Sequence, residues 1–234
     1  MKKAVLWILA GALCLQLAGC GAENPQEQET PDAYDDIIRQ YETAVAEGWD
    51  TDKMTENGLD YMVAYCLEQD EQASVGYFKG DLNGDGQLEL AIAAESEDEY
   101  FAGMIFALYE LADGEPFALV KSGERDRWYY AGEGKLLNEA FGNAFETVYS
   151  LCTADWELSF LDAVGRNAVE YPDDPWLRFT GQTWEHVSEE EANAAISEMK
   201  DSVTNLEITP YGMMLHPQDT LPCNPVPHKP SGGI

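Results

Sequence analysis

From Ser74 onward the apolar residues stop recurring at helical spacing and begin to alternate. The alternation continues for most of the chain, with turn signals every eight to twelve residues, the pattern of short strands joined locally. The segments with this period are Val75 to Asp81, Leu88 to Ala94, Met104 to Leu111, Phe117 to Ser122, Arg127 to Tyr130, Phe145 to Cys152, Trp156 to Leu161 and Trp176 to Phe179. Ala112-Asp113-Gly114-Glu115 reads as a hairpin turn, because Asp-Gly suits the left-handed positions of a tight connection. Connections this short join antiparallel neighbours, so the spacing predicts an antiparallel meander.

Helices flank the strands. Thr30, Pro31 and Asp32 suit the start of a helix, Tyr34, Ile37, Ile38, Tyr41 and Val45 mark one face of it, and Gly48 ends it. A second helix is expected over Leu59 to Leu67, after the Asn57-Gly58 break. Near the other end, Ser188-Glu189-Glu190-Glu191 fits a capping box ahead of Ala192, Ala195, Ile196 and Met199, and a short strand over Leu206 to Tyr211 follows. The expectation is an α+β fold: one domain over 32–211, an antiparallel sheet with N-terminal helices and one late helix. The segment 212–234 holds five prolines and is expected to be disordered.

The first residues, MKKAVLWILAGALCLQLAGC, combine Lys2 and Lys3 with an apolar run, Ala4 to Leu17, that is short for a membrane span. The run ends in Leu17-Ala18-Gly19-Cys20, which resembles a bacterial lipobox. The resemblance implies a signal peptide over 1–19 and acylation, palmitate included, on Cys20. Residues 20–31 would then be a flexible tether and the protein would be anchored by lipid on the extracytoplasmic side of the cell membrane. Loss of 1–19 removes two lysines and no acid, leaving 11 basic against 44 acidic residues and a net charge of −33. Such a charge disfavours nucleic acid and anionic lipid surfaces as partners and favours cations. Cys66, Cys152 and Cys223 remain in the mature chain, an odd number, and both a Cys66–Cys152 bridge and buried free thiols are open.

The stretch GYFKGDLNGDGQLELAIAA carries the strongest chemical signal. Counted from Asp81, side-chain oxygens fall at positions one, three, five and nine, as Asp81, Asn83, Asp85 and Glu89, and Gln87 can offer its backbone carbonyl. Gly84 and Gly86 permit the sharp turn, and calcium is a hard cation that takes six to eight oxygens. The start resembles an EF-hand loop, but position twelve is Ile92, and the following alternation of Leu88, Leu90, Ile92 and Ala94 makes the flank a strand. In this respect the loop looks like the calcium loops of FG-GAP or VCBS-type β repeats, here present once. More narrowly, the chain resembles a class of lipoproteins from Gram-positive gut bacteria with a lipobox, N-terminal helices, a GY…D-x-N-G-D-G-x-x-E-L hairpin and a late SEEEA helix. The resemblance implies a structural calcium ion and no particular activity. A polar turn closed by Asx bonds is the competing reading of the same residues.

Nothing else in the sequence carries a catalytic signature. There is no G-x-S-x-G, H-E-x-x-H, Walker A or G-x-G-x-x-G pattern. His216 and His228 fall in the tail, leaving His186 ahead of a helix cap. Trp128 and Tyr130 share a strand face, to pack inward or to stack on a sugar or peptide. The expected function is a non-catalytic binding or interaction domain on a lipid anchor, with a glycan- or peptide-capturing protein as the alternative and a surface hydrolase behind both.

Overall fold

The change of period at Ser74 is where the chain passes from helix to sheet. The structure, a computed structural model, describes residues 32–142, 145–153 and 158–212. Residues 1–31, with Cys20, Thr30 and Pro31 and the expected signal peptide and tether, lie outside the described residues, as do Trp156 and residues 213–234 with Cys223. Three helices come first: α1 (Asp35–Glu47), α2 (Thr51–Glu56) and α3 (Met62–Gln69). The sheet follows as β1 (Ser74–Gly80), β2 (Glu89–Glu95), β3 (Met104–Ala112), β4 (Glu115–Lys121), β5 (Asp126–Tyr130), β6 (Lys135–Gly142), β7 (Phe145–Thr153), β8 (Phe160–Arg166), β9 (Trp176–Phe179) and β10 (Trp184–His186). Then come α4 (Glu189–Asp201) and β11 (Thr209–Pro210).

Every strand pairing is antiparallel, and the order is β10-β9-β8-β7-β6-β5-β3-β2-β1-β11, so the fold is α+β with mostly sequential strands. β4 stands off this path: it pairs with β3 along Ala107 to Ala112, while β5 takes the other end of that edge at Met104 and Ile105. The Asp113-Gly114 turn joins β3 to β4 with both residues in the left-handed region, φ 54° and 85°. β11 is a short edge strand, where Pro210, which lacks an N–H, is tolerated opposite Gly76.

All four helices bury side chains in one cluster on one face of the sheet. It contains Tyr34 and Tyr41 at α1, Met54 of α2, Met62 and Cys66 of α3, and Ala192, Ala195 and Met199 of α4, against Leu90, Ile92, Met104 and Phe106. A smaller cluster, Leu82, Ala91, Ile105, Leu108, Val120 and Leu136, covers the other face. Both faces of β2 and β3 are therefore buried, and each fully buried Leu, Ile or Phe contributes about 1.5–3 kcal/mol.

Several local expectations change. α1 begins at Asp35, and ahead of it Asp32 Oδ1 accepts from the Tyr34 amide at 2.9 Å while the Asp32 amide donates to Asp35 Oδ2 at 3.0 Å. α2 has no counterpart in the sequence reading, because six residues with one buried side chain, Met54, cannot display a period. α3 begins at Met62, three residues later than expected, while Leu59 is buried ahead of it. β6 and β10 were also not expected. Leu136 and Leu137 are adjacent yet buried on opposite faces, which hides alternation in β6, and all of β10 is exposed. β8 lies at Phe160–Arg166 in place of Trp156 to Leu161. Cys66 and Cys152 are buried free thiols, each with its pKa raised by burial, to about 12 and about 11. The Ser188 capping box is present: the Glu191 amide donates to Ser188 Oγ at 3.2 Å, and the Ser188 amide donates to Glu191 Oε2 at 2.9 Å.

A buried polar chain ties α1 to the α2–α3 connection. The Tyr41 hydroxyl accepts from the Asp60 amide at 2.9 Å and lies 3.1 Å from the Tyr109 hydroxyl of β3. Asp60 is only 3% exposed, and burial raises its carboxyl to about 7. Its folded-state pKa exceeds the ordinary value, so the folded protein holds the proton longer and stability falls as pH rises from about 4 to about 7. Asp60→Asn keeps an acceptor for the Met62 amide and should remove the Asp60 share of that fall, gaining on the order of a few kcal/mol over wild type at pH 8. Tyr41→Phe should cost about 1–3 kcal/mol by stranding the Asp60 amide. Denaturant melts across pH check both, and a wild-type profile flat between pH 4 and 8 would contradict the assignment.

Candidate functional site

The acidic segment leaves β1 at Gly80 and re-enters the sheet at Glu89, its cross-strand partner. Gly84 and Gly86 adopt φ 82° and 87°, a left-handed region that glycine enters at no steric cost. The curl aims amides at the side chains. Gly84 and Gly86 amides donate to Asp81 Oδ1 and Oδ2 at 2.6 and 3.0 Å, and the Asp85 amide donates to Asn83 Oδ1 at 3.0 Å. The Gln87 amide donates to Asp85 Oδ1 at 2.7 Å and Gln87 Nε2 to Asp85 Oδ2 at 3.3 Å.

The flanks are fixed from outside. Leu82 is buried in the smaller cluster, and its carbonyl accepts from the Tyr130 hydroxyl of β5 at 3.1 Å. Gly134, in the β5–β6 turn, lies so close that a Cβ there would sit 3.1 Å from Asn83 Cα. At the other flank the Tyr34 hydroxyl donates to the Leu88 carbonyl at 2.7 Å. These contacts set the loop against both the first helix and the middle of the sheet.

Glu89 departs from the alternation read in the sequence. It is 2% exposed, whereas Leu88, expected inside, is 43% exposed. The reason is local: Glu89 folds back into the loop, and the Leu82 amide donates to its Oε2 at 2.6 Å. Burial first, then the charges of Asp85 and Asp81, push its carboxyl above the ordinary 4.5. Beside it, a cavity of about 410 Å³ between the loop and the β3–β4 turn is lined by Asp85, Gln87, Glu89, Glu110 and Asp113.

Asp81, Asn83, Asp85, Gln87 and Glu89 thus share one curled loop, and their donor atoms are the hard oxygens calcium prefers. Each acceptor oxygen tied to an amide keeps a second lone pair. The fit is one of chemistry and loop shape. Among the described residues no group of three or more His, Cys, Asp or Glu converges closely enough to hold a metal ion. Sequence reasoning missed the burial of Leu82 inside the loop, and it missed Tyr34, Tyr130 and Glu110, which are distant in the chain and meet the loop only through the fold.

The other constellations resolve as follows. Trp128 and Tyr130 are half-buried against the smaller cluster, and Trp176 against the larger. Trp184 is 37% exposed, with the rings of Phe145 and Phe179 at 4.9 and 5.8 Å. His186 is exposed, and its Nδ1 lies 3.3 Å from Asp174 Oδ2. No helix of the described residues is long and apolar enough to cross a membrane.

Without added cation, Glu89→Ala should cost about 1–3 kcal/mol, because the buried Leu82 amide loses its acceptor. Glu89→Gln retains an acceptor and should remove the Glu89 share of the fall in stability as pH rises above the ordinary carboxyl range, leaving the share of Asp60. Urea midpoints measured in chelator across pH give both, and identical pH profiles for wild type and Glu89→Gln would contradict the burial of a charge here.

No protein-family model, curated protein or solved structure matches the chain, so the functional reading rests on its own residues.

Proposed function

We propose that the chain is an extracytoplasmic lipoprotein, held to the membrane by lipid on Cys20, whose α+β domain is a non-catalytic binding module stapled by calcium in the 81–89 loop. The observation that carries the calcium reading is Glu89, a carboxylate 2% exposed with two aspartates raising its pKa and an acid-lined cavity beside it. A cation reverses all three electrostatic costs at once. Asp81, Asn83, Asp85, Glu89 and the Gln87 carbonyl would supply its oxygens, with water completing the shell. Calcium there would hold the β1–β2 connection shut, and the affinity of extracellular modules, about 0.1–1 mM, keeps such a site filled outside the cell.

Binding to the folded state alone raises stability by about 1.4 kcal/mol at tenfold excess over the dissociation constant. Chelation should therefore lower the melting temperature reversibly, Asp85→Ala should abolish the calcium dependence, and magnesium should substitute poorly because it demands a tighter octahedral shell. Calorimetric titration of calcium into stripped wild type and Asp85→Ala decides it. Equal heats, or no saturable heat at several-millimolar calcium, would leave the loop a polar turn.

The anchor rests on Leu17-Ala18-Gly19-Cys20. Mass spectrometry of the mature N-terminus should find acylated Cys20, and Cys20→Ala should release the protein from the membrane fraction. An unacylated N-terminus cut elsewhere would refute it. The glycan- or peptide-capturing alternative draws on Trp184, whose exposed ring beside Phe145 and Phe179 offers a stacking surface.

A further inference from the structure

Two of the few basic residues in this acidic chain meet at one cavity on the helix-covered face of the sheet. Arg127 of β5, Glu139 of β6 and Tyr149 of β7 stand in one cross-strand row. Arg127 Nη2 lies 3.0 Å from Glu139 Oε2, and Lys200, from the last turn of α4, places Nζ 3.6 Å from Glu139 Oε1. Burial first, and the neighbouring Glu139, raise the pKa of the Tyr129 and Tyr149 hydroxyls. The guanidinium rests against the rings of Tyr100 and Phe141 at 4.8 and 4.7 Å, and the Lys200 ammonium stands over Tyr149 at 4.8 Å. Both cations are thus held in place by aromatic faces and by one shared carboxylate.

Three features of this cluster exceed what is needed to fasten α4 to the sheet. A cavity of about 290 Å³ opens beside it, walled by Ala102, Leu137, Val203 and Tyr129. Arg127 Nε is buried and has no hydrogen-bond partner. Lys200 is half exposed, with donors beyond the one directed at Glu139. The charged lining balances, Arg127 and Lys200 against Glu139 and Glu99, with both cations gathered at Glu139, while Ala102, Leu137 and Val203 make the rest of the wall apolar.

The geometry points to a binding site for a small organic carboxylate: the carboxylate on Lys200 and Arg127, an aliphatic body against Ala102, Leu137 and Val203. A free aliphatic amino acid and a peptide C-terminus share this chemistry. With an amino acid, the ammonium would face Glu99 at the rim of the same cavity. The site rests on the reading of the chain as a binding module and is separate from the calcium loop.

Calorimetric titrations of the mature protein, in calcium and again in chelator, test it with L-leucine, N-acetyl-L-leucine, 4-methylpentanoate and L-leucinamide. The carboxylates should bind saturably in both media, and leucinamide, which lacks the carboxylate, should not. Preference for L-leucine over N-acetyl-L-leucine identifies the free amino acid, and the reverse identifies a peptide end. Lys200→Gln should weaken binding about tenfold or more, the worth of one charge-assisted hydrogen bond, while Lys200→Arg retains it. Arg127 still pairs with Glu139 in both variants, and circular-dichroism melts confirm that they fold. No saturable heat from any carboxylate, equal binding of leucinamide, or unchanged affinity in Lys200→Gln overturns the proposal. Loss of calcium binding alone leaves it standing.

Discussion

The burial of β3 on both faces is the constraint on which the other elements depend. Met104 and Phe106 enter the cluster under the helices, while Ile105 and Leu108 enter the cluster on the opposite face. A strand sealed on both sides cannot leave backbone groups unpaired, because an unsatisfied buried amide costs as much as a lost hydrogen bond. β2 satisfies one edge, and the other is divided between β4 and β5. That division joins the first hairpins to the long run from β5 to β10. The Ser122 hydroxyl caps the junction, donating to the Ile105 carbonyl at 2.6 Å and accepting from the Trp128 amide at 3.1 Å.

The acidic loop takes its position from that junction. Because β5 follows β3 in the sheet, Tyr130 comes within reach of Leu82, and the β5–β6 turn closes on Asn83. Packing α1 on the same sheet brings the Tyr34 hydroxyl to Leu88. The eight-residue connection between β1 and β2, with Asp81, Asn83 and Asp85 at alternate positions, would be mobile on an isolated hairpin. Here it is gripped at both ends, by the Tyr130 hydroxyl on Leu82 and by the Tyr34 hydroxyl on Leu88. The same packing buries Glu89, which concentrates negative charge where a cation would remove it.

The positive counterpart lies across the sheet. A chain with 44 acidic and 13 basic residues has a surface dominated by one sign. Antiparallel register nevertheless stacks Arg127, Glu139 and Tyr149 on adjacent strands, and α4 adds Lys200 from its C-terminal turn, where a cation also suits the helix dipole. Long-range repulsion of anions and short-range attraction coexist because charges separated by more than about 8–10 Å are largely screened in physiological salt.

Local chemistry was legible in the sequence wherever the cause was local. Period, turn residues and caps located α1, α4, the Asp113-Gly114 hairpin and β1 to β5 to within a few residues, and the oxygens of the 81–89 loop could be counted along the chain. The sequence by itself determined an α+β chain with a local antiparallel sheet and one curled acidic loop, because those features follow from backbone preferences acting over a few residues. Only the tertiary structure decided that Glu89 turns inward and Leu88 outward, that Leu136 and Leu137 face different cores, that Trp128 and Tyr130 pack half-buried against the smaller cluster, and that Arg127, Glu139 and Lys200 share a cavity. Each of those depends on what another strand or helix covers, and coverage is set by register and packing between residues far apart in the chain.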